Sequence, residues 1–328
     1  MKIQNNLLHT LLINIILLIA VFIIGEVTCR VIGIPYNVKW IPDQNAFGQF
    51  DPELGWSYIP NKSTMSRTGD YEKPVHFEEN GIRVPYPDFS FDKLKPSVVF
   101  IGGSITMGHG LSYEDTFVGK FGEFKEVPYQ VVNLGVQGYG SDQALLALKK
   151  QLPKFNAKVV VYTFFEHHIR RNGNYDRRQI VSGARFLGTK PLLALNTENE
   201  LYLAKKPLLY NDYDYFHSWL FDLYKIKIGG MLGTFPPMPI DLTKSIILEM
   251  KKFSKENGAR FLVLDWRWNR DKSSEFLNDL DIDIVDTLEN APDGWEKMVI
   301  LNGVHPTAEA SDHAAQLLLK YFQNNNLL

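Results

Sequence analysis

The chain has 328 residues, a formal net charge of -2, 45% hydrophobic and 22% charged residues. That is the balance of a folded protein rather than a disordered one, and the length admits one large domain or two small ones. Near-neutral charge leaves no electrostatic footprint for nucleic acid, and a single cysteine, Cys29, excludes an internal disulfide and a cysteine-based zinc site.

Residues 7–24 read LLHTLLINIILLIAVFII. From Leu11 onward only Asn14 breaks the apolar run, so the polar stripe of a core helix is missing, and the length approaches that needed to cross a bilayer. No small-x-small cleavage site follows; Gly25, Glu26, Val27, Thr28 and Cys29 come next, which favours an uncleaved anchor over a removed signal peptide. A single-pass membrane anchor over residues 1–25 is expected, with the bulk of the chain extracytoplasmic. Lys2 before the run and Arg30 and Lys39 after it specify orientation weakly.

A lead segment, residues 26–95, carries FDPELGWSYIPN and EENGIRVPYP. Its aromatics argue against a free linker, and Asn80-Gly81 is a hairpin signal. Short strands and turns packed on the main domain are expected there. A regular alternation then begins. SVVFIG (97–102), YQVVNL (129–134), KVVVY (158–162), FLVLDW (261–266) and the weaker IDIV (282–285) are unbroken apolar runs, suited to strands buried on both faces of a parallel sheet. Helical patterns over 142–152, 241–256 and 307–322 separate or follow them. In the second, Leu242, Ile246, Met250 and Phe253 share one face and Asn257-Gly258 ends the pattern. The alternation predicts a doubly wound α/β domain over residues 96–328. An aromatic-rich insertion at about 173–240 interrupts it, either shaping a substrate site or elaborating the surface.

Three loops at the ends of these strands carry candidate chemistry. In IGGSITMG (101–108), Ser104 directly follows a buried strand between glycines. This is a Gly-rich turn or the seat of a nucleophile; a phosphate loop is excluded because neither GKS/GKT nor G-x-G-x-x-G is present. In NLGVQGYG (133–140), Gly138 could aim a backbone N–H at a developing oxyanion, or the segment is a plain strand-to-helix turn. In NGVHP (302–306), His305 lies before the last helix. A serine hydroxyl is a poor nucleophile until a base takes its proton, and histidine suits that task near neutral pH.

Together GGSIT, NLGVQGYG and GVHPT resemble, in order and spacing, the first, second and fifth blocks of the SGNH (GDSL-like) hydrolase superfamily, over about residues 96–325. The resemblance implies a flavodoxin-like sheet with helices on both faces. It makes Ser104 the nucleophile and an oxyanion donor through its own N–H, Gly138 the second donor and His305 the base, with no cofactor and no metal. The anchor, the lead segment and GGS in place of GDS resemble a bacterial membrane-anchored branch. Two positions depart from the family. Glu166 falls where the third block carries an asparagine donor, and a carboxylate accepts hydrogen bonds rather than donating them. Asn302 stands three residues before His305, where the family has aspartate; an amide can orient an imidazole, yet in a serine triad that swap costs about four orders of magnitude in turnover.

Glu166, His167, His168, Arg170 and Arg171 form a polar cluster after the third strand. Taken as extended chain, it sends His167 and His168 to opposite sides, which disfavours a two-histidine metal site. One of these residues satisfies a buried network, or His168 or Arg171 replaces the missing donor, as a similar His-x-x-Arg stretch in the branch implies. The expected function is a membrane-anchored serine esterase or O-acyltransferase acting on an ester of an extracytoplasmic glycan or lipid-linked substrate. Glu166, His168 and Arg171 would contact that substrate. The alternative is a catalytically weak or inactive SGNH-fold protein that binds glycans or assembles with membrane partners.

Overall fold

The computed structural model of the chain describes residues 2–36, 47–68, 71–180, 187–229, 231, 238–269, 274–300 and 304–328. Helix α1 (Lys2–Ile32) comes first, followed by short strands β1 (Gly48–Asp51), β2 (Gly55–Tyr58), β3 (Ser63–Thr68), β4 (Tyr71–Phe77) and β5 (Arg83–Val84). Strands and helices then alternate: β6 (Pro96–Gly102), α2 (Ser104–Met107), α3 (Phe117–Glu123), β7 (Gln130–Asn133), α4 (Ser141–Gln151), β8 (Asn156–Phe164) and α5 (His167–Asn172). Between residues 173 and 240 lie β9 (Leu192–Leu195), β10 (Leu201–Lys205), α6 (Tyr210–Phe216) and α7 (Trp219–Tyr224). The remaining elements are α8 (Ile240–Glu256), β11 (Arg260–Asp265), β12 (Asp283–Asp286), β13 (Val299–Ile300), β14 (His305–Pro306) and α9 (Ala308–Asn324).

Chain contacts separate two compact units: Met1–Pro42 with Asp176–Thr189 and Leu208–Pro237, and Asp43–Tyr175 with Lys190–Pro207 and Met238–Leu328. The larger unit is built on a sheet of order β12-β11-β8-β6-β7-β5-β4-β3. The five strands from β12 to β7 are parallel, and in chain order they run 2-1-3-4-5 from β7 to β12, the flavodoxin-like doubly wound arrangement. Each expected apolar run falls on one of these strands. Along β6, Val98 and Phe100 face one apolar layer with Phe117, Phe121, Ala314 and Phe322, while Val99 and Ile101 face the other with Leu145, Leu148, Ile246 and Met250. The strand's period of two thus feeds both helical layers. The lead-segment strands β5, β4 and β3 extend the same sheet beyond β7, each antiparallel to the strand before it, with Gly81 at positive φ in the β4–β5 turn.

Residues 26–32 differ from the expected strands and turns: they continue α1. Glu26 and Arg30 pair one turn apart at 2.7 Å, and no helix breaker intervenes before Gly33, whose φ of 80° ends the helix with its N–H on the Cys29 carbonyl. Helix α1 is long and apolar enough over Leu7–Ile32 to cross a membrane, with a mean hydropathy of 2.8 in an 18-residue window, and its side chains from Leu7 to Ile24 are all exposed.

In the smaller unit, Arg178 is buried and forks onto Asp176 and Asp214, with contacts of 2.8 and 2.6 Å. Its guanidinium lies 3.6 Å from the Tyr210 ring centre and 4.3 Å from that of Tyr36. Planar charge between aromatic faces, neutralised by two carboxylates, is the arrangement that makes a buried arginine tolerable.

Candidate active site

The site lies at the carboxyl end of β6. This strand sits between β7 and β8, where the chain order of the sheet reverses, and ligands of open α/β sheets bind outside such a point. Gly102 closes the strand with φ 151°, and a Cβ there would stand 2.3 Å from Thr106 Oγ1, so only glycine fits. The turn it makes delivers Ser104 to the first position of α2, where a backbone N–H has no partner within the helix. The second block closes on this turn: a Cβ on Gly135 would lie 2.2 Å from the Met107 nitrogen. Asn133 donates from Nδ2 to the Thr106 carbonyl at 2.9 Å and accepts from the Gly135 N–H at 3.0 Å.

His305, on β14, places Nε2 2.9 Å from Ser104 Oγ, 201 positions earlier in the chain. The pair expected from the first and fifth blocks therefore meets at hydrogen-bond distance. Gly138 sits at φ 83° in a turn closed by the Tyr139 N–H on the Val136 carbonyl at 3.2 Å. The β1–β2 hairpin braces that turn. Trp56 Nε1 donates to the Gln137 carbonyl at 2.9 Å, Tyr58 Oη accepts from the Gln137 N–H at 2.8 Å, and Tyr139 Oη donates to the Trp56 carbonyl at 2.6 Å. Asn302 lies outside the described residues.

The polar cluster after β8 is not extended. The chain turns at Glu166 into the short helix α5, because β8 has reached the sheet edge and the His168 and Ile169 N–H groups find the Phe165 and Glu166 carbonyls. Helical spacing sends His168 and Arg171 to the same side, towards the turn that carries Ser104. A Cβ on Gly103 would stand 3.0 Å from His168 Nε2 and 3.3 Å from Arg171 Nη1. His168 is buried, its Nδ1 2.8 Å from the Tyr162 hydroxyl, which is itself 2.7 Å from Ser141 Oγ. Arg171 Nη1 donates to the Tyr139 carbonyl at 2.8 Å; burial lowers its pKa to about 10, so the group stays cationic at neutral pH. Glu166 and exposed His167 instead line a cavity of about 160 Å³ with Phe165, Trp266, Arg267, Trp268 and Val304, the last adjacent to His305 in the chain. Among the described residues no group of three or more His, Cys, Asp and Glu side chains is placed to hold a metal ion.

Two residues that the sequence reading passed over shape the site. Arg83, buried on β5, donates from Nη1 to the Met107 carbonyl and, at 2.9 Å, to that of Gly108, and from Nη2 to the Leu111 carbonyl at 2.6 Å. His109 stands with its ring edge-on to His305, centroids 4.7 Å apart. The signal for His109 was its place in the glycine-flanked nucleophile block. Arg83 had none, because its partners are main-chain carbonyls.

His305 is held at about 3, by burial first and then by the positive charges of His109, Arg171 and His167. His109 is held at about 4, by burial and then by Arg83. Both rings are neutral at neutral pH, and a neutral Nε2 can accept the serine proton. In the unfolded chain the same rings take up protons near 6.5. Between about 6.5 and the folded values the unfolded chain therefore binds more protons. Stability from these histidines is complete above about pH 6.5 and is lost as pH falls towards 4, by on the order of 3 kcal/mol for His109 alone. The expected pH profile of kcat/KM for a neutral ester has no descending limb near 6.5; turnover holds down to the acid range where the melting temperature drops. A limb near 6.5 with an unchanged melting temperature would mean that His305 faces a negative partner.

No protein-family model matches the chain, and no curated protein matches it. Among solved structures the chain is similar to TesA, at 15% identity over 70% of this chain and 98% of that one, with a TM-score of 0.41. It is similar to the psychrotrophic esterase EstA from Pseudoalteromonas sp., at 12% identity over 72% and 100%, with a TM-score of 0.40. A GDSL-like lipase from Bacteroides thetaiotaomicron VPI-5482 matches at 17% identity over 70% and 88%, with a TM-score of 0.36. In fold the chain is an SGNH-like α/β protein. Its own strand order carries the likeness, with serine after the first parallel strand and histidine before the last helix.

Proposed function

We propose that the protein is a serine hydrolase or acyltransferase of esters. The observation that carries this reading is the 2.9 Å contact between Ser104 Oγ and His305 Nε2 at the sheet's switch point. In the proposed reaction His305 Nε2 takes the Ser104 proton as Oγ attacks the ester carbonyl, and the imidazolium then protonates the departing alcohol. Water or a second hydroxyl, deprotonated by the same ring, resolves the acyl-enzyme.

The Ser104 and Gly138 N–H groups would hold the oxyanion. The third-block asparagine is replaced by His168 and Arg171, both of which reach the Gly103 backbone. In the tautomer that carries its proton on Nε2, His168 would aim a donor at the Ser104 turn, and the Arg171 cation would add charge stabilisation. Asn302 would orient His305 from the nitrogen away from Ser104. The tryptophan faces and polar groups around Glu166 suit a sugar-bearing ester, and α1 suits attachment to a membrane, with the catalytic unit outside the cytoplasm and the substrate a glycan or lipid-linked ester.

A second reading, a binding protein with a silent dyad, draws on one observation: burial first, and then nearby basic groups, hold His305 at about 3, which weakens it as a base. Fluorophosphonate labelling of the full-length protein separates the two. Modification of Ser104, located by peptide mass, supports the enzyme, and an unlabelled Ser104 in a folded protein leaves the binding reading. Adding a sugar alcohol as acceptor then distinguishes transfer from hydrolysis.

A further inference from the structure

We infer that the α6–α7 region of the smaller unit rests in the polar–apolar boundary of the same bilayer that α1 crosses, giving the chain a second, interfacial contact with lipid. The inference depends on the proposed membrane attachment of α1. It begins at Glu26 and Arg30. The Glu26 carboxylate accepts from Ser218 Oγ at 2.9 Å and from the N–H groups of Trp219 and Leu220 at 3.1 and 3.0 Å, capping the start of α7. The Arg30 guanidinium donates to the carbonyls of Asp214 and His217 at 2.8 and 2.7 Å, where α6 ends. Negative charge thus meets a helix N-terminus and positive charge a helix C-terminus, each in the sense the helix dipole favours. Leu220 packs so closely on Gly25 that a Cβ there would stand 2.9 Å from its Cδ2. The start of α7 is therefore held level with residues 25 and 26.

That level has a physical meaning. The apolar stretch ends at Ile24, and residues 7–24 make roughly 27 Å of helix at ~1.5 Å per residue. The hydrocarbon core of a bilayer is about 30 Å thick. Residues 25 and 26, and the start of α7 with them, fall at the edge of that core.

What α7 displays at this depth is an apolar and aromatic face with cations. Phe221 is 52% exposed and Tyr224 59%, one helical turn apart, with Tyr215 at 78% on α6 and Met231 at 86% beyond. Exposed Lys225 holds its ammonium 4.5 Å above the Phe221 ring, and Lys227 is also exposed. Aromatic rings with lysines at the end of an apolar helix are the composition of the interfacial belt, where ring bodies sit among acyl-chain ends and ammonium groups reach lipid phosphates. Continuity with the exposed apolar surface of α1 commits this face to lipid.

The test uses full-length protein carrying Cys29→Ser and one new cysteine, Phe221→Cys, Tyr224→Cys or Leu17→Cys, labelled with a polarity-sensitive fluorophore and reconstituted in phosphatidylcholine vesicles. Spin-labelled lipids quench either near the glycerol backbone or near the chain centre. The expected result is blue-shifted emission at positions 221 and 224 with stronger loss from the glycerol-level quencher. At position 17 the chain-centre quencher acts more strongly. Quenching at 17 with water-like emission at 221 and 224 overturns the interfacial contact and leaves the anchor standing. Labels at 221 and 224 shielded from aqueous iodide but not quenched by lipid mean a protein cover, which also overturns it. No lipid quenching at 17 removes the membrane reading and this inference together.

Discussion

Ser104→Ala is expected to lower turnover of p-nitrophenyl acetate by at least about a hundredfold, the roughly six orders of magnitude a serine nucleophile is worth in a full triad less the roughly four that asparagine costs at the aspartate position. The fold should barely notice. Among the described residues Ser104 Oγ has one side-chain hydrogen bond, to His305, so the stability change is about 1 kcal/mol or less. Binding of a non-hydrolysable ester analogue should survive, since the proposed oxyanion donors, the N–H groups of residues 104 and 138, remain. Parallel kinetics and thermal melts of wild type and variant check both halves. Undiminished turnover in the variant would refute the serine mechanism, and a collapsed melt would make Ser104 a structural residue instead.

Arg83→Met is expected to remove both stability and activity. The guanidinium serves three carbonyls, those of Met107, Gly108 and Leu111, in the turn that follows the nucleophile helix, and the side chain is 1% exposed. Without it these acceptors lose their donor in a site that water does not readily enter, at a cost of about 3–5 kcal/mol in a urea melt. The released turn also lets Ser104 drift from His305, and a misplacement of about 1 Å costs on the order of a hundredfold in rate. Arg83→Lys should recover part of the stability and less of the rate, because one ammonium cannot hold three carbonyls in fixed directions. A methionine variant with wild-type melting and kinetics would show that Arg83 positions nothing.

The parallel strands could be read from the sequence because each is an unbroken apolar run, and β6 shows why: Val98 and Val99 face opposite layers, so neither position tolerates a polar residue. The meeting of Ser104 with His305 was readable from block order. The course of the third block was not. His167 to Asn172 has no apolar period to announce a helix, and α5 forms because the strand ends and the next amides need acceptors. His168 and Arg171 were named as candidates, but only helical spacing brings both to Gly103. Arg83 and Glu26 escaped for a different reason. Each pairs with main-chain groups, Glu26 with amides 193 and 194 positions away, and backbone partners leave no trace in side-chain pattern.

The Glu26–Arg30 pair also bears on how the molecule could leave a membrane. Proteolytic shedding releases many tethered ectodomains by a cut beside the membrane helix. Here a cut before Glu26 would keep the pairings of Glu26 and Arg30, whereas one between Glu26 and Arg30 would strip the carboxylate from the amides of Trp219 and Leu220. A sheddase that acted a single helical turn too late would yield a soluble but partly unmade protein. On the proposed attachment the tether is in this sense a part of the fold, and only a narrow stretch of chain is available for release.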